Sequence, residues 1–234
     1  MTTVASAPTG EVVEETFNLP TEDRLRVNEI FYSLQGESTR AGLPCVLIRL
    51  TGCHLRCRWC DTAYAFYEGE WLSRAEVLAR VAAFGCPLVE LTGGEPLLQP
   101  GALPLLADLC DAGYEVLLET SGAVDIAPVD SRVRKIVDVK CPGSGEAERN
   151  HWPNLDVLRE TDELKLVIAD EADYLWARDL VRERQLHRRC PVHFSPVAGE
   201  LDPAMLAAWI LRDHLSVRLQ LQLHKQLWGT ARGV

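Results

Sequence analysis

The feature that most constrains the fold is a series of short apolar runs that alternate with helix-like segments. The runs are rich in Val, Ile and Leu and show little polar alternation, as strands buried on both faces do. They are Leu25–Phe31, Val46–Leu50, Leu88–Thr92, Glu115–Glu119, Ile136–Val139, Leu164–Ala169 and Val192–Ser195. Repeated strand–helix units predict an α/β fold with a parallel sheet and crossover helices.

About six units favour an incomplete, compact TIM-like barrel of the (β/α)6 type. A doubly wound open sheet would give the same periodicity, so the pattern leaves both arrangements open. Either way, we expect the functional residues to lie at the carboxyl ends of the strands.

Helix signals lie between the predicted strands. Ser73 and Glu76 form a capping box that predicts a helix over 73–84, and Gly85 follows it as a natural end. The other predicted helices are Ala102–Ala112, Glu171–Gln185 and one that starts at Asp202 and Pro203.

Length and charge limit the organisation of the chain. With 234 residues it suits one sizeable core, so we predict a flexible, acidic tail over residues 1–24 and a single domain over 25–234. A net charge of −10 argues against a nucleic-acid binder. No run approaches the ~20 apolar residues of a membrane span, and the N-terminus lacks a secretory pattern. We therefore expect a cytoplasmic protein without a membrane or nucleic-acid partner.

Three of the eight cysteines are clustered directly after the second predicted strand. The sequence Cys53-His54-Leu55-Arg56-Cys57-Arg58-Trp59-Cys60 lets three thiolates point into one small volume, which suits a 4Fe–4S cluster with one iron left open. A structural zinc site is the alternative, but it needs a fourth ligand, and His54 is poorly placed beside Cys53. The five scattered cysteines are expected to be reduced hydrophobes.

A glycine motif follows the next predicted strand. Thr92-Gly93-Gly94-Glu95-Pro96 would let the backbone approach a ligand closely and expose its hydrogen-bonding groups. A simple turn is the alternative for the glycine pair alone. Its place one unit after the cysteine loop favours a functional role.

The Cys-x3-Cys-x2-Cys loop and the Gly-Gly-Glu-Pro motif together resemble the radical S-adenosylmethionine (SAM) superfamily. Three further segments resemble the 7-carboxy-7-deazaguanine synthase family. These are Phe31-Tyr32-Ser33-Leu34-Gln35-Gly36-Glu37-Ser38, then Cys60-Asp61-Thr62, and the C-terminal Gln222-Leu223-His224-Lys225-Gln226-Leu227-Trp228-Gly229 with Arg232-Gly233-Val234. The resemblance runs from about Val27 to Val234.

The resemblance implies a 4Fe–4S cluster whose open iron chelates SAM, and a deoxyadenosyl radical that abstracts hydrogen from the substrate. The implied substrate is 6-carboxy-5,6,7,8-tetrahydropterin, which contracts to 7-carboxy-7-deazaguanine with loss of ammonia in queuosine or deazapurine biosynthesis. SAM is regenerated, and Mg²⁺ binds the substrate carboxylate. The resemblance also implies a homodimer and an electron donor such as flavodoxin or ferredoxin.

The same resemblance assigns site residues. Cys53, Cys57 and Cys60 would hold the cluster, and Thr62 would hold Mg²⁺. The SAM set is Trp59, Cys60, Asp61, Gly94, Glu95, Glu119, Ser121, Asp138, Val139, Lys140, Phe194, Ser195, Pro196 and Val197. The substrate set is Leu34, Gln35, Gly36, Glu37, Arg49, Thr92, His224 and Val234, the last through its terminal carboxylate. Some family members have Ser-Pro-Lys where Asp138-Val139-Lys140 stands here, and Lys140 is retained.

Several of these assignments have a structural alternative. Gln35-Gly36-Glu37 could be a surface turn, Arg49 could pair with an internal Glu, and His224 could be a packed histidine. A glycyl-radical activase would share the cluster and the glycine motif without needing the other segments. A non-catalytic metal-binding module is the alternative outside enzymes.

Overall fold

The protein is described here by a computed structural model over residues 20–234. Its strands form a single sheet and are β1 Arg24–Leu34, β2 Pro44–Leu50, β3 Glu70–Ser73, β4 Leu88–Gly93, β5 Glu115–Thr120, β6 Arg134–Asp138, β7 Glu163–Ile168, β8 Val192–Pro196 and β9 Arg218–Leu219. Its α-helices are α1 Arg74–Ala82, α2 Ala102–Asp111, α3 Glu171–Arg184, α4 Pro203–Arg212 and α5 Leu223–Trp228.

The strand order is β3-β1-β2-β4-β5-β6-β7-β8-β9. From β2 to β9 all neighbours are parallel and follow one another in a single direction. A doubly wound sheet would reverse this order at a switch point, so the structure confirms the singly wound, barrel-like alternative. The sheet keeps two edges, β3 and β9, and is therefore an open barrel. The carboxyl ends of its parallel strands meet at one rim.

All seven predicted strands are present, but the regular strand–helix repetition was wrong in two respects. Strand β1 runs antiparallel to both β2 and β3 and so lies outside the parallel series. The crossover from β5 to β6 contains only turns, and the crossover from β6 to β7 contains 3-10 segments; in the described chain neither contains an α-helix. Strands β3 and β9 were not predicted, because they have four and two residues and little apolar content.

The observed helices begin and end close to the predicted boundaries, and the capping residues explain where they do so. Ser73 accepts a hydrogen bond from the Glu76 backbone N–H at 3.2 Å, and the Glu76 carboxylate accepts one from the Ser73 backbone N–H at 2.7 Å, so the capping box is confirmed. Asp202 caps α4 by accepting a bond from the backbone of Ala204 at 2.9 Å. Helix α3 ends at Arg184, since Gln185 adopts a left-handed conformation with φ 51°.

The two faces of the sheet differ in polarity because successive side chains of a strand point to opposite faces. Apolar strand side chains such as Ile48 and Leu91 belong to one continuous buried cluster with Val81 of α1 and Leu106 of α2. Polar strand residues instead occupy the alternate positions. The inner face of the open barrel is therefore rich in buried polar groups, and the hydrophobic core lies between the sheet and the helices.

The predicted N-terminal tail covers residues 1–24, of which 1–19 lie outside the described residues. Thr21–Asp23 form a short 3-10 segment, and β1 already begins at Arg24. All eight cysteines fall in the described part of the chain, and none of them forms a disulfide. Among the helices of residues 20–234, none has the length and apolar character needed to cross a membrane.

Candidate active site

Two adjoining cavities open at the carboxyl rim of the sheet. The first, of about 490 Å³, is lined by the cysteine loop and by residues that end β4, β5, β6 and β8. The second, of about 260 Å³, is lined by the segment after β1 and by the C-terminal residues 229–234. A boundary set of residues lines both cavities, namely Glu37, Arg49, Asp61, Thr62, Thr92, Glu119, His224 and Lys225.

The cysteine loop brings all three clustered thiols to the first cavity. Cys53, Cys57 and Cys60 each line it and are half-buried. Burial raises the pKa of Cys57, and the nearby ammonium of Lys140 lowers it in part. Within residues 20–234, no three His, Cys, Asp or Glu side chains converge tightly enough to hold a single metal ion. Three thiols spread around one cavity wall fit a 4Fe–4S cluster in which three irons each take one thiolate and the fourth is left open.

The glycine motif packs directly against the backbone of the cysteine loop. A Cβ on Gly94 would lie 2.2 Å from the carbonyl oxygen of Gly52, and one on Gly93 would lie 2.5 Å from that of Leu50. Both contacts are far shorter than a side chain tolerates. The Glu95 backbone N–H donates to Gly52 O at 2.8 Å. The glycines thus allow the end of β4 to approach the loop that carries the thiols.

Glu95 ties the ends of β4 and β5 together. Its carboxylate is fully buried and accepts bonds from the Leu97 backbone N–H at 3.0 Å, the Ser121 backbone N–H at 2.7 Å and the hydroxyls of Thr120 and Ser121. The structure does not bring this side chain to either cavity. Glu95 therefore supports the cavity wall without lining it, and Thr120 and Ser121 are the members of its network that line the first cavity.

The remaining residues of the predicted SAM set divide in a simple way. Val139 and Phe194 line neither cavity and are buried in the core. Asp138 and Lys140 face the first cavity as an ion pair of 2.7 Å. Those that line the first cavity are Trp59, Cys60, Asp61, Gly94, Glu119, Ser121, Asp138, Lys140, Ser195, Pro196 and Val197.

The segment after β1 is buried and so is not a surface turn. Gln35 is 4% exposed, and its side chain is held at both ends: the amide donates to the Glu90 carboxylate, and its oxygen accepts from the Glu37 backbone N–H at 2.7 Å. Burial, with the neighbouring Glu119 and Glu37, raises the pKa of Glu90 well above its usual value. The predicted substrate residues Leu34, Gln35, Gly36 and Glu37 all line the second cavity.

Arg49 has the internal partner that was one of the two alternatives. Its Nε donates to Glu29 at 2.7 Å, and the Tyr64 hydroxyl donates to the same carboxylate at 2.9 Å. The pair forms where β1 carries a bulge between Val27 and Glu29 opposite β2. Arg49 nevertheless lines both cavities, so the ion pair positions a guanidinium at their boundary.

A buried lysine connects two carboxylates at the same boundary. Lys165, in the middle of β7, lies 3.0 Å from Glu37 and also donates to Glu119, which in turn accepts from Thr92 at 3.2 Å. Burial alone would lower the pKa of Lys165, but Glu119 and Glu37 raise it well above its ordinary value. The lysine is therefore a fixed ammonium.

The C-terminal segment closes the second cavity. His224 packs so closely on Gly36 that a Cβ there would lie 2.9 Å from its Nδ1, and Leu223 donates its backbone N–H to Gly36 O at 3.0 Å. Burial lowers the pKa of His224, which favours the neutral ring. Arg232 lies over the Tyr64 ring at 3.6 Å, and Val234 lines the second cavity.

Asp61 and Thr62 follow the last cluster cysteine and line both cavities. Burial alone would raise the pKa of Asp61, but Lys225, at 2.7 Å, brings it below its usual value. The Thr62 hydroxyl lies 3.8 Å from the Cys60 sulfur. The thiol loop and the second cavity are thus connected through two consecutive side chains.

Sequence reasoning missed Glu90, Lys165 and Lys225 as site residues. Glu90 and Lys165 carried a detectable signal, because each is a charged residue within an apolar strand, as Arg49 is. The regular spacing of Glu90 and Thr92, and of Glu163 and Lys165, also marks one polar face of a strand. Lys225 carries no such signal, since a lysine on a short terminal helix is ordinary.

Comparisons with known proteins agree with this geometry. Residues 47–142 match the family model of the radical SAM superfamily. The chain is 50% identical over 220 residues to 7-carboxy-7-deazaguanine synthase of Chlorobaculum tepidum, covering 92% of this chain and 100% of that one. It is 46% identical to the same-named protein of Koribacter versatilis, covering 87% of this chain and 97% of that one.

The fold also has a solved counterpart. The crystal structure of QueE from Escherichia coli matches with a TM-score of 0.68 at 24% identity, covering 86% of this chain and 95% of that chain. The relatives match along nearly their whole length, and the family-model match spans both the cysteine loop and the glycine motif. The chain therefore belongs to the 7-carboxy-7-deazaguanine synthase family of the radical SAM superfamily.

Proposed function

We propose that the chain is a 7-carboxy-7-deazaguanine synthase that contracts the ring of 6-carboxy-5,6,7,8-tetrahydropterin with loss of ammonia, in queuosine precursor biosynthesis. The observation that carries the proposal is the pair of adjoining cavities. One has three thiols on its wall, the other has the Gln35–Glu37 segment and the C-terminus, and the two share a charged boundary. A cofactor and a small polar substrate held in these cavities would meet at that boundary.

The first cavity would hold the cofactors. Bound together, a 4Fe–4S cluster on Cys53, Cys57 and Cys60 and a SAM molecule supply the radical that removes hydrogen from carbon. Gly94 offers its backbone at the cavity wall, and the Asp138–Lys140 pair and Ser121 offer polar groups along it. These residues would orient the cofactor along the wall, with the boundary set between it and the substrate.

The second cavity would hold the pterin. A carboxylate can accept two N–H bonds from an aminopyrimidine edge, and Glu37 is the carboxylate of the buried segment that lines both cavities. The Gln35 side chain supports it, since its oxygen receives the Glu37 backbone N–H. Neutral His224 and the Val234 carboxylate would complete the polar lining from the C-terminal side.

The substrate carboxylate would lie near Arg49 and Thr62. Arg49 uses Nε for Glu29, and a guanidinium has further N–H groups with which to bind a carboxylate. Thr62 would contribute its hydroxyl to Mg²⁺, which prefers oxygen ligands and keeps several waters, so one protein ligand with substrate oxygens is sufficient. Thr92 lies at the same boundary, where it donates to Glu119.

The remaining parts of the proposal concern partners. We propose a homodimer, an electron donor such as flavodoxin or ferredoxin, and a reducing, cytoplasmic location. Eight unpaired cysteines within the described chain support a compartment in which thiols stay reduced. Arg56, between the first two cluster cysteines, is exposed and would offer a donor protein a cationic group close to the cluster.

Anaerobic turnover tests the function. Iron–sulfur-reconstituted protein with reductant, SAM, Mg²⁺ and 6-carboxytetrahydropterin should yield 7-carboxy-7-deazaguanine, followed by mass spectrometry, without proportional consumption of SAM. Cys57→Ala should abolish SAM cleavage, whereas Glu37→Ala should keep the cluster and lose turnover. Cleavage of SAM without that product would agree with radical SAM chemistry and would show that the proposed substrate is wrong. Unchanged turnover in the Glu37 variant would show that Glu37 takes no part in binding the substrate.

A further inference from the structure

The boundary between the two cavities contains a charged triad that spans the inside of the open barrel. Its members are Glu37, which follows β1, Glu119 at the end of β5, and Lys165 in the middle of β7. The ammonium of Lys165 lies 3.0 Å from the Glu37 carboxylate and donates also to Glu119. Lys165 is only 7% exposed, and the side chains of Glu37 and Glu119 are 14% and 24% exposed, so the two carboxylates share one buried cation.

The charges around the triad explain why this cation matters. Burial raises the pKa of Glu37, and Lys165 opposes that effect. Burial alone would raise the pKa of Glu119 as well, but Lys165 brings it below its usual value. The other titratable or charged groups that face the triad are Arg49 on β2, Asp61 after the cysteine loop, Glu90 on β4, Asp138 on β6, Lys140 after β6, and His224 and Lys225 on α5.

These neighbours do not replace Lys165. Arg49 is bonded to Glu29, Lys140 to Asp138 and Lys225 to Asp61, each at 2.7 Å. Without the ammonium, Glu37 and Glu119 would face each other as two largely buried acids with the buried Glu90 close by. Like charges in a site of low dielectric disfavour ionisation, so at least one of them would take up a proton.

We propose that Lys165 is a positioning residue that keeps Glu37 and Glu119 ionised and fixed at the boundary between the cofactor and substrate cavities. The expected effect on catalysis rests on the proposed function, in which Glu37 accepts hydrogen bonds from the aminopyrimidine edge of the substrate. A protonated Glu37 would offer the substrate one hydrogen-bond acceptor fewer. A Glu37 that is no longer bonded to Lys165 would also move away from its position at the cavity boundary. A misplacement on the order of 1 Å lowers turnover about 10²-fold.

Lys165→Met tests the proposal, with Lys165→Arg as the conservative variant. Lys135→Met is the matched control, because Lys135 is also a buried strand lysine in an ion pair, 3.1 Å from Asp162, and lies outside both cavities. Asp162 keeps Arg159 at 3.0 Å when Lys135 is removed, whereas Glu37 and Glu119 keep no comparable partner.

The first readout is stability against pH and needs no turnover. In Lys165→Met the folded-state pKa values of the two carboxyls rise above their unfolded values. Their contribution is then present at low pH and lost as pH rises through the folded pKa. Urea midpoints measured from about pH 5 to about pH 8 should therefore fall increasingly below wild type as pH rises. Adding Glu119→Gln to Lys165→Met should remove much of that slope.

The second readout is catalytic. Lys165→Met should keep its iron–sulfur absorbance and lose about 10²-fold in kcat/KM, with the acid limb of its pH profile moved to higher pH, and Lys165→Arg should recover part of the activity. A stability penalty that is constant with pH, as expected for Lys135→Met, would overturn the proposal. If Lys165→Met does not fold, Lys165→Met/Glu119→Gln is compared with Glu119→Gln, because Glu37 is then the one triad carboxyl left in both. Equal dependences of their urea midpoints on pH would overturn the proposal. If wild type makes no 7-carboxy-7-deazaguanine, the proposed function fails while the stability slopes still decide the role of Lys165.

Discussion

The carboxylate of Glu163, at the start of β7, accepts a hydrogen bond from the backbone N–H of Thr39 at 2.9 Å, across 124 positions of sequence. The same carboxylate accepts the Thr39 hydroxyl and lies 2.7 Å from Nε2 of His193 on β8. The segment that follows Glu37 is thus fastened to the far side of the open barrel. These contacts, together with the bond from Lys165 to Glu37, hold the Gln35–Glu37 segment in place.

Glu163→Gln should destabilise the protein at neutral pH by roughly 1–3 kcal/mol, because buried donors lose a charged acceptor. Burial alone would raise the pKa of Glu163, but His193 and Thr39 bring it below 4.5. A depressed folded pKa gives stability that is present above the unfolded value and lost as pH falls through the folded one.

Urea unfolding at neutral pH and below about pH 4.5 measures both effects. Wild type should lose stability across that acidic window more steeply than Glu163→Gln. Glu70→Gln is a suitable control, because Glu70 pairs with Arg80 at the surface. Parallel pH dependences of wild type and Glu163→Gln would contradict the assignment.

Glu95→Gln should weaken SAM binding as well as stability, although Glu95 lines neither cavity. The amide keeps the shape of the side chain but turns one acceptor into a donor that faces the Ser121 and Thr120 hydroxyls and the Ser121 N–H. Breaking such a buried network costs on the order of 2–4 kcal/mol. Ser121 would then lose its fixed place on the cavity wall.

Equilibrium binding of SAM and urea unfolding check this prediction on the same samples. Ser121→Ala is the informative control, since it removes a single hydroxyl from the cavity wall and leaves the Glu95 carboxylate with its backbone donors. Glu95→Gln with unchanged SAM affinity and full stability would show that the network does not support the wall.

Gly94→Ala should prevent retention of the iron–sulfur cluster. The new Cβ would lie 2.2 Å from Gly52 O and 2.8 Å from the Cβ of Cys53, so the cysteine loop must move. Gly85→Ala is the control, because no atom lies within 4 Å of its Cβ and only its positive φ is strained. Such strain costs roughly 1–2 kcal/mol.

Iron and sulfide content after anaerobic reconstitution measures the effect. Gly85→Ala should bind iron as wild type does, and Gly94→Ala should bind much less. Full iron content in Gly94→Ala would mean that the loop tolerates the side chain, contrary to the contact distances.

Local spacing predicted the parts of the site that one segment forms alone. The thiols from Cys53 to Cys60 and the glycine pair at 93 and 94 need only their own loops and the order of two strands. Long-range choices could not be predicted in this way. From the sequence, the partner of Arg49 could be an internal Glu or the substrate. Glu29 is identified as the partner only by the register of β1, which has a bulge between Val27 and Glu29.

Glu95 shows the same limit from the other direction. Its motif predicted a ligand contact, but the carboxylate is engaged by Thr120 and Ser121, which a helix and a strand separate from it in the chain. The two helix-free crossovers were missed for a related reason. The apolar runs show where the strands lie. Whether the chain between two strands forms a helix depends on the space left beside the complete barrel.

Removal of Arg232–Val234 should impair use of the pterin without weakening SAM binding. Residues 229–234 line the second cavity, and none of them is among the described residues that line the first. Arg232 also covers Tyr64, which donates to Glu29, the partner of Arg49. The truncation should therefore raise KM for the pterin about tenfold or more, through loss of Val234 from the cavity lining and of order around Arg49.

Steady-state kinetics and equilibrium SAM binding, measured on the same reconstituted protein, separate the two cavities. A C-terminal tag should have the same effect as the truncation, because it moves the carboxylate away from Val234, and the same tag on the N-terminus serves as the control. Equal KM values for the two tagged forms would show that the terminal carboxylate takes no part in binding the substrate. A weakened SAM affinity in the truncated form would show that the C-terminal segment supports the boundary set as a whole.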